Sequence, residues 1–135
     1  MIPRTEYDLN SLAFAPLEMP SRTYRLDLDA KRVHGFADKR EAMRQAIYLT
    51  IHTERYQYPI YSRNYGVEMG GLVGRPIPYV LPEIKRRVTE ALMHDERVTA
   101  VDGWEFDAAR RGKVAAVFTA HTVYGSVDAN VEVSV

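Results

Sequence analysis

From Val127 to Val135 apolar and polar side chains take strict turns. Val127, Ala129, Val131, Val133 and Val135 alternate with Asp128, Asn130, Glu132 and Ser134. A period of two is the spacing of a strand with one dry face and one wet face. The chain must therefore supply a sheet for this strand to join and apolar matter to cover it. The segments just upstream supply the sheet. Gly125-Ser126 reads as a two-residue hairpin loop, with Gly at the first position as a type II′ turn prefers. Val114 to Tyr124 is apolar on both parities for most of its length, so it reads as a long central strand. Ala109 to Gly112 is a turn. Val98, Ala100, Trp104 and Phe106 share one parity, so residues 97–107 form a further strand, bulged at Gly103.

Two helices are predicted before that meander. Asp38 followed three residues later by Glu41 has the form of a capping box. Behind it Met43, Ala46, Ile47, Thr50 and Ile51 recur at helical spacing, giving a helix over 39–53. The second helix starts with Pro82 at its first position and runs to about Asp95. Ile84, Val88, Ala91 and Leu92 form its apolar stripe. Ahead of both, Tyr24, Leu26 and Leu28 alternate with Thr23, Arg25 and Asp27. With a turn at 29–32 and a return strand at Val33–Phe36, residues 22–36 read as a half-buried hairpin. Residues 1–20, broken by Pro3, Pro16 and Pro20, read as an extended arm that orders against a partner. The expected fold is α+β: an N-terminal β-hairpin, two helices, and a C-terminal antiparallel three-stranded meander with the helices on one face. Residues 21–135 form one domain in this reading.

Between the helices runs Ile51 to Gly66, with Tyr56, Tyr58, Tyr61 and Tyr65 in a stretch that a plain loop would fill with Gly, Ser, Asn and Asp. Rings of this size anchor cores and interfaces alike. The segment reads as a packed junction whose tyrosines cover a small core or dock onto another protein. The glycines at 70, 71 and 74 preclude a long helix. They do not make a phosphate loop, because no Gly-Lys-Ser/Thr ending follows.

The chemistry implied is sparse. Net charge is zero, with 18 basic and 18 acidic residues, whereas nucleic-acid binders carry a basic excess. A nucleic-acid reading through Tyr56, Tyr58 and Lys85–Arg87 is therefore disfavoured. Cys is absent, which removes disulfides, thiolate chemistry and most structural zinc sites. His34, His52, His94 and His121 show no metal-ligand spacing, so neither metal nor cofactor is expected. No apolar run is long enough to span a membrane, and the first ten residues contain no apolar signal core. Ser62 and Ser126 lack a nucleophile-elbow setting. Glu54, among the tyrosines, is the best single candidate for a catalytic acid, but no second carboxylate announces itself. No catalytic residue is assigned.

Several blocks resemble one family. They are Pro20 to Asp27, Gln45 to Tyr48, Thr53 to Tyr56, Ile60 to Gly66 and Leu72 to Gly74. They are similar to the tail proteins of PBSX-like prophages, which belong with the baseplate wedge proteins of contractile phage tails. The resemblance covers roughly residues 20–107. Thr53-Glu54-Arg55 stands where the wider family has a Gly-Glu-Arg-type turn. Asp95-Glu96-Arg97 stands where it has Glu-Pro-Arg, with the acid shortened, the proline missing and Arg97 kept. The resemblance implies a structural subunit, six copies per baseplate, that docks on larger wedge proteins and on the tail sheath protein. It implies no nucleic acid and no membrane. It places the chain in a virion or tail-particle baseplate assembled in the bacterial cytoplasm. Partner-binding residues would be Glu54, Arg55, Tyr61, Tyr65, Asp95, Glu96 and Arg97. Sheath arms would add strands at Val127, Ala129, Val131, Val133 and Val135, an edge with few charges that is a liability in a monomer. The alternative is that the chain's own N-terminal hairpin covers that edge. The resemblance also imports a lysozyme-like label, so the runner-up function is peptidoglycan hydrolysis with Glu54 as the acid.

Overall fold

The computed structural model describes residues 20–135, so the arm expected over 1–20 lies almost wholly outside the described residues. The element order is β1 (Thr23–Asp27), β2 (Arg32–Ala37), α1 (Lys39–Ile51), α2 (Ile77–Met93), β3 (Val98–Asp107), β4 (Lys113–Thr122) and β5 (Gly125–Ser134). One 3₁₀ turn, Gly70–Leu72, lies between the helices. The fold is α+β, as the sequence pattern implies. β3, β4 and β5 form an antiparallel sheet with β4 in the centre, while β1 and β2 pair only with each other.

Both helices cover one face of the three-stranded sheet. β4 points Val114, Ala116, Phe118 and Ala120 into that face, and β5 adds Val127, Val131 and Val133. α1 presents Met43, Ile47 and Ile51, and α2 presents Val80, Ile84, Val88 and Leu92. Phe118 is wholly buried and stacks against Trp104 at 4.6 Å between ring centroids. Removing one such side chain from water stabilises the fold by roughly 2–3 kcal/mol.

Five sequence expectations shift. α2 begins at Ile77, not at Pro82. Pro78 takes the early position that tolerates a missing N–H, and Pro82 sits inside the second turn. Val80, one turn ahead of Ile84, is fully buried, and that apolar contact extends the helix upstream past the proline. At the start of α1 the capping box does not form. Lys39 has φ +50°, so the Asp38 carboxylate meets the Lys39 N–H at 2.7 Å and the Ser21 hydroxyl. Glu41 pairs instead with Arg25 at 2.9 Å.

The β4–β5 turn is Val123-Tyr124, since Thr122 pairs with Gly125. Gly125, at φ +114°, opens β5 rather than the loop. In β3 the register slips between Val98 and Ala100 and again between Asp102 and Glu105, around Gly103 at φ +65°. The bulge foreseen at Gly103 is present. The two slips move the inward positions to Val98, Val101, Trp104 and Phe106, so Ala100 faces out. The hairpin is the largest departure. Tyr24, Val33 and Phe36 are 67%, 60% and 50% exposed, so the β1–β2 alternation marks a strand but not a buried one.

The run Lys85–Arg87 is no free basic patch. Glu83 accepts from Arg86 Nε (3.1 Å) and Nη2 (3.0 Å) and from Arg87 Nε (3.0 Å). These hydrogen bonds, first from Arg86 and then from Arg87, hold the Glu83 pKa at about 2 against an ordinary 4.5. A depressed carboxylate pKa contributes stability that is complete above pH 4.5 and is lost as pH falls toward 2. The difference in thermal midpoint between the wild type and Glu83→Gln should therefore shrink steadily across that window. A gap that stays constant from pH 6 to about 2 would refute this account of Glu83.

Candidate functional site

The junction closes at its base on main-chain contacts. The Val67 N–H donates to Thr53 O at 3.0 Å and the Arg55 N–H to Val67 O at 3.3 Å, bridging Glu54 and Val67 in parallel. Gly66 passes through this bridge at φ +92°, where an added Cβ would stand 2.5 Å from Thr53 O. Glu54 turns its carboxylate onto the 3₁₀ turn. Oε2 accepts the Met69 N–H and Oε1 the Gly70 N–H, each at 3.2 Å. Arg55 donates from Nε to Arg63 O at 2.7 Å and reaches Glu90 of α2 at 3.7 Å. The two charges expected to meet a partner thus hold the junction together.

Above this base the chain makes two small turns, Tyr61 N–H to Tyr58 O (3.2 Å) and Tyr65 N–H to Ser62 O (3.1 Å). The rings of Tyr58, Tyr61 and Tyr65 pack in series, with centroids 5.9 and 4.7 Å apart. Tyr56, Tyr58 and Tyr61 are exposed. The reading in which these tyrosines cover a core is therefore corrected: Tyr58, Tyr61 and Tyr65 pack on one another, and Tyr56, Tyr58 and Tyr61 face outward. Val67 and Leu72, at the foot of the junction, supply its buried apolar contacts.

Asp95 and Arg97 form a corner after α2. Arg97 donates from Nε to Asp95 Oδ1 (3.0 Å), from Nη2 to Oδ2 (2.8 Å) and from its main-chain N–H to Oδ1 (3.0 Å). Burial pushes the Asp95 carboxyl up, but the Arg97 hydrogen bonds outweigh it and leave the pKa below its ordinary value. The Arg97 guanidinium is held protonated more firmly by the same bonds. Arg97 is thus half of an ion pair rather than a free cation. Glu96 beside it is exposed. Asp95 and Tyr65 line one groove with Thr50, Asn64 and His94, so the junction and this corner share a surface. Arg97 opens onto a different groove, with Ser21, Arg22, Gln45 and Leu49. The residues singled out from the sequence therefore divide between faces.

The outer edge of β5 pairs with no strand among the described residues, and the β1–β2 hairpin does not cover it. Thr122 and Gly125 flank a two-residue turn, so they exchange both main-chain hydrogen bonds. Counting from there, the odd-numbered residues of β5 bond to β4. The side chains of Val127, Val131 and Val133 face the core, and Ala129 and Val135 pack partly against it. These five residues therefore do not offer the edge. The outward N–H and C=O groups belong to Ser126, Asp128, Asn130, Glu132 and Ser134. One of them, Ser126 O, already accepts from Arg40 Nε at 2.9 Å.

Sequence reasoning passed over a polar row on the open face of the sheet. His121 Nδ1 lies 3.0 Å from Ser126 Oγ, and His121 Nε2 lies 2.8 Å from Asp102 Oδ1. These are the residue types of a nucleophile, base and orienter. They come from three strands, so only the register of the sheet brings them together. The side chains of His121 and Asp102 are 39% and 65% exposed, so water surrounds them instead of a substrate cavity. As a cross-strand row they tie β3, β4 and β5. Among the described residues no group of three His, Asp or Glu side chains can hold a metal ion. Nor is any helix there long and apolar enough to cross a membrane.

With this geometry in place the relationship is plain. The family model of the contractile injection system sheath initiator matches residues 18–125, and the chain belongs to that family. It is similar to the phage-like element PBSX protein XkdS of Bacillus subtilis strain 168, with 36% identity over 91 residues. That match covers 64% of this chain and 64% of the relative, so the chain spans less than two thirds of that protein's length.

Gly66 and Gly74 separate two causes of strain. Both have positive φ, but nothing lies within 4 Å of a Cβ built on Gly74. Gly74→Ala should cost about 1 kcal/mol for the backbone conformation alone. Gly66→Ala should cost several times as much, about 3 kcal/mol or more, because the methyl also strikes Thr53 O. Equal losses in urea unfolding would show that the contact at Thr53 is unimportant.

Proposed function

We propose that this chain is a structural subunit of the baseplate wedge in a contractile phage tail or tail-like particle, and that it templates the first ring of sheath by accepting a strand along β5. Family membership supports a role in sheath initiation. The unpaired outer edge of β5 is the observation that carries the mechanism. Ten consecutive residue pairs bind β5 to β4 without a slip, so its free edge is straight and regular. An incoming extended segment would bond to the outward main-chain groups of Asp128, Asn130, Glu132 and Ser134. The groove that Tyr65 and Asp95 share would meet the larger wedge proteins, together with the exposed Tyr61 and Glu96. In this reading residues 21–135 act as one domain. The copy number is six per baseplate, and assembly takes place in the bacterial cytoplasm.

Proline discriminates between the two sides of β5. Asn130→Pro removes an outward N–H and leaves the β4–β5 ladder intact. It should abolish sheath polymerisation on isolated baseplates while shifting the thermal midpoint by only a few degrees. Val131→Pro removes an inward N–H and should destabilise the fold by about 3 kcal/mol or more. Normal sheath growth on baseplates carrying folded Asn130→Pro would end the strand-addition reading.

The role is structural rather than hydrolytic in this proposal. A glycosidase acid must have an oxygen free to protonate the leaving group. Both Glu54 oxygens accept main-chain N–H groups. Purified protein should leave the turbidity of a peptidoglycan suspension unchanged. Clearing that disappears in Glu54→Gln would make the junction an active site and overturn the assignment.

A further inference from the structure

The most exposed large apolar side chain among the described residues is Ile60, 85% accessible to solvent. It sits at the tip of the segment from Arg55 to Gly66, directly after Pro59 and between Tyr58 and Tyr61. A single exposed isoleucine is ordinary on a protein surface. This one is displayed by a segment built to hold its shape. The ends of the segment are joined by the Glu54–Val67 bridge. Arg55 Nε spans the interior to Arg63 O at 2.7 Å. The rings of Tyr58, Tyr61 and Tyr65 pack on one another in series along it. Such a loop, closed at its ends and packed by its own side chains, is an Ω-loop, and loops of this kind are frequently functional. Tyr56 at its entrance adopts φ +70°, a backbone region that costs a bulky side chain on the order of 1–3 kcal/mol. The Arg55 guanidinium lies over that ring, 4.8 Å from its centroid.

The cost of this arrangement is not recovered by covering the core, because Tyr56, Tyr58, Ile60 and Tyr61 all remain exposed. A rigid loop loses little conformational entropy when it docks, and rigid Tyr side chains contribute contact area at low entropy cost. The charge of the loop is one-sided. Arg55 and Arg63 are its only charged residues between Glu54 and Gly66. Arg55 reaches Glu90, whereas the Arg63 guanidinium forms no ion pair among the described residues.

We infer that this loop is a preformed plug. Ile60 enters an apolar socket on a different protein, Tyr58 and Tyr61 seal its rim, and Arg63 pairs with a carboxylate bordering that socket. The inference deepens the docking side of the function proposed above and rests on it. It names a contact centred on Ile60, in the loop whose Tyr65 borders the Asp95 groove, and distinct from strand addition at β5. The occupant is an acidic-rimmed apolar socket on a larger protein of the particle, because one-sided positive charge on this loop disfavours a second copy meeting it loop to loop.

The test uses complete tail particles purified from cells in which this chain is wild type, Ile60→Ser or Arg63→Glu, together with each isolated protein. Wild-type chain in the particles is the control for the earlier reading, and its absence would sink that reading and this one together. Ile60→Ser should fold with an unchanged thermal midpoint and enter particles about tenfold less or worse, with Arg63→Glu also reduced. A photocrosslinker at position 60 should join a peptide of another particle protein that carries Asp or Glu beside apolar residues. Undiminished incorporation of folded Ile60→Ser overturns the plug and leaves the strand-addition proposal standing. So does a crosslink only to a second copy of this chain, or a wild-type dimer that Ile60→Ser converts to monomer.

Discussion

Thr53 O and the α-carbon of Gly66 stand too close together for any side chain to come between them, and the two helices depend on that approach. α1 and α2 must both reach the same face of a three-stranded sheet, and the chain joining them must turn away and return within fifteen residues. The return is fixed by main-chain hydrogen bonds from Val67 to Thr53 and from Arg55 to Val67. Glu54 then ties the returning chain to the 3₁₀ turn, whose Leu72 is wholly buried. With the crossing made this way, the aromatic rings between Tyr56 and Tyr65 need not fill the core and are left outside it.

That division explains which features the sequence discloses. The alternation through Val127 and Val133 is a direct record of burial, since each side chain's facing follows from its parity alone. The stripe Ile84, Val88, Leu92 records burial in the same way, although the pattern starts one turn earlier, at Val80. Parity fails in β3 because two bulges each insert a residue, so Val101 takes the inward place that counting assigns to Ala100. It fails differently in the hairpin. Tyr24 and Phe36 stack on each other at 5.3 Å and the Arg22 guanidinium lies 4.2 Å from the Phe36 ring centroid, yet both rings stay exposed, and periodicity cannot say whether an apolar face has a neighbour.

The candidate site is less legible for a related reason. Tyrosine suits cores and interfaces equally, so four tyrosines in one segment identify a surface of consequence without saying which side faces water. Charged pairs were equally ambiguous. The resemblance makes Arg97 a partner-binding residue, yet the corner geometry gives it Asp95 as a bidentate partner only two residues away. The row of Asp102, His121 and Ser126 has no signature in the linear order, because its members meet through strand register. Family membership does follow from the linear order, since a match along residues 18–125 needs no knowledge of the physical role of each residue.

The two edges of the sheet are unlike each other, and this limits what the molecule can build with itself. β5 is straight, while β3 is broken twice by bulges, which twist a strand away from regular pairing. A sheet with two regular edges can stack head to tail, β5 of one copy on β3 of the next, and such a heterologous contact has no natural end. The broken edge of β3 withholds the second half of that contact. Two copies can still meet β5 to β5 about a twofold axis, but that union is self-complementary and closes at two. On the strand-addition proposal, the sheet of the described residues would accept one strand at β5 without extending itself into a fibre through β3.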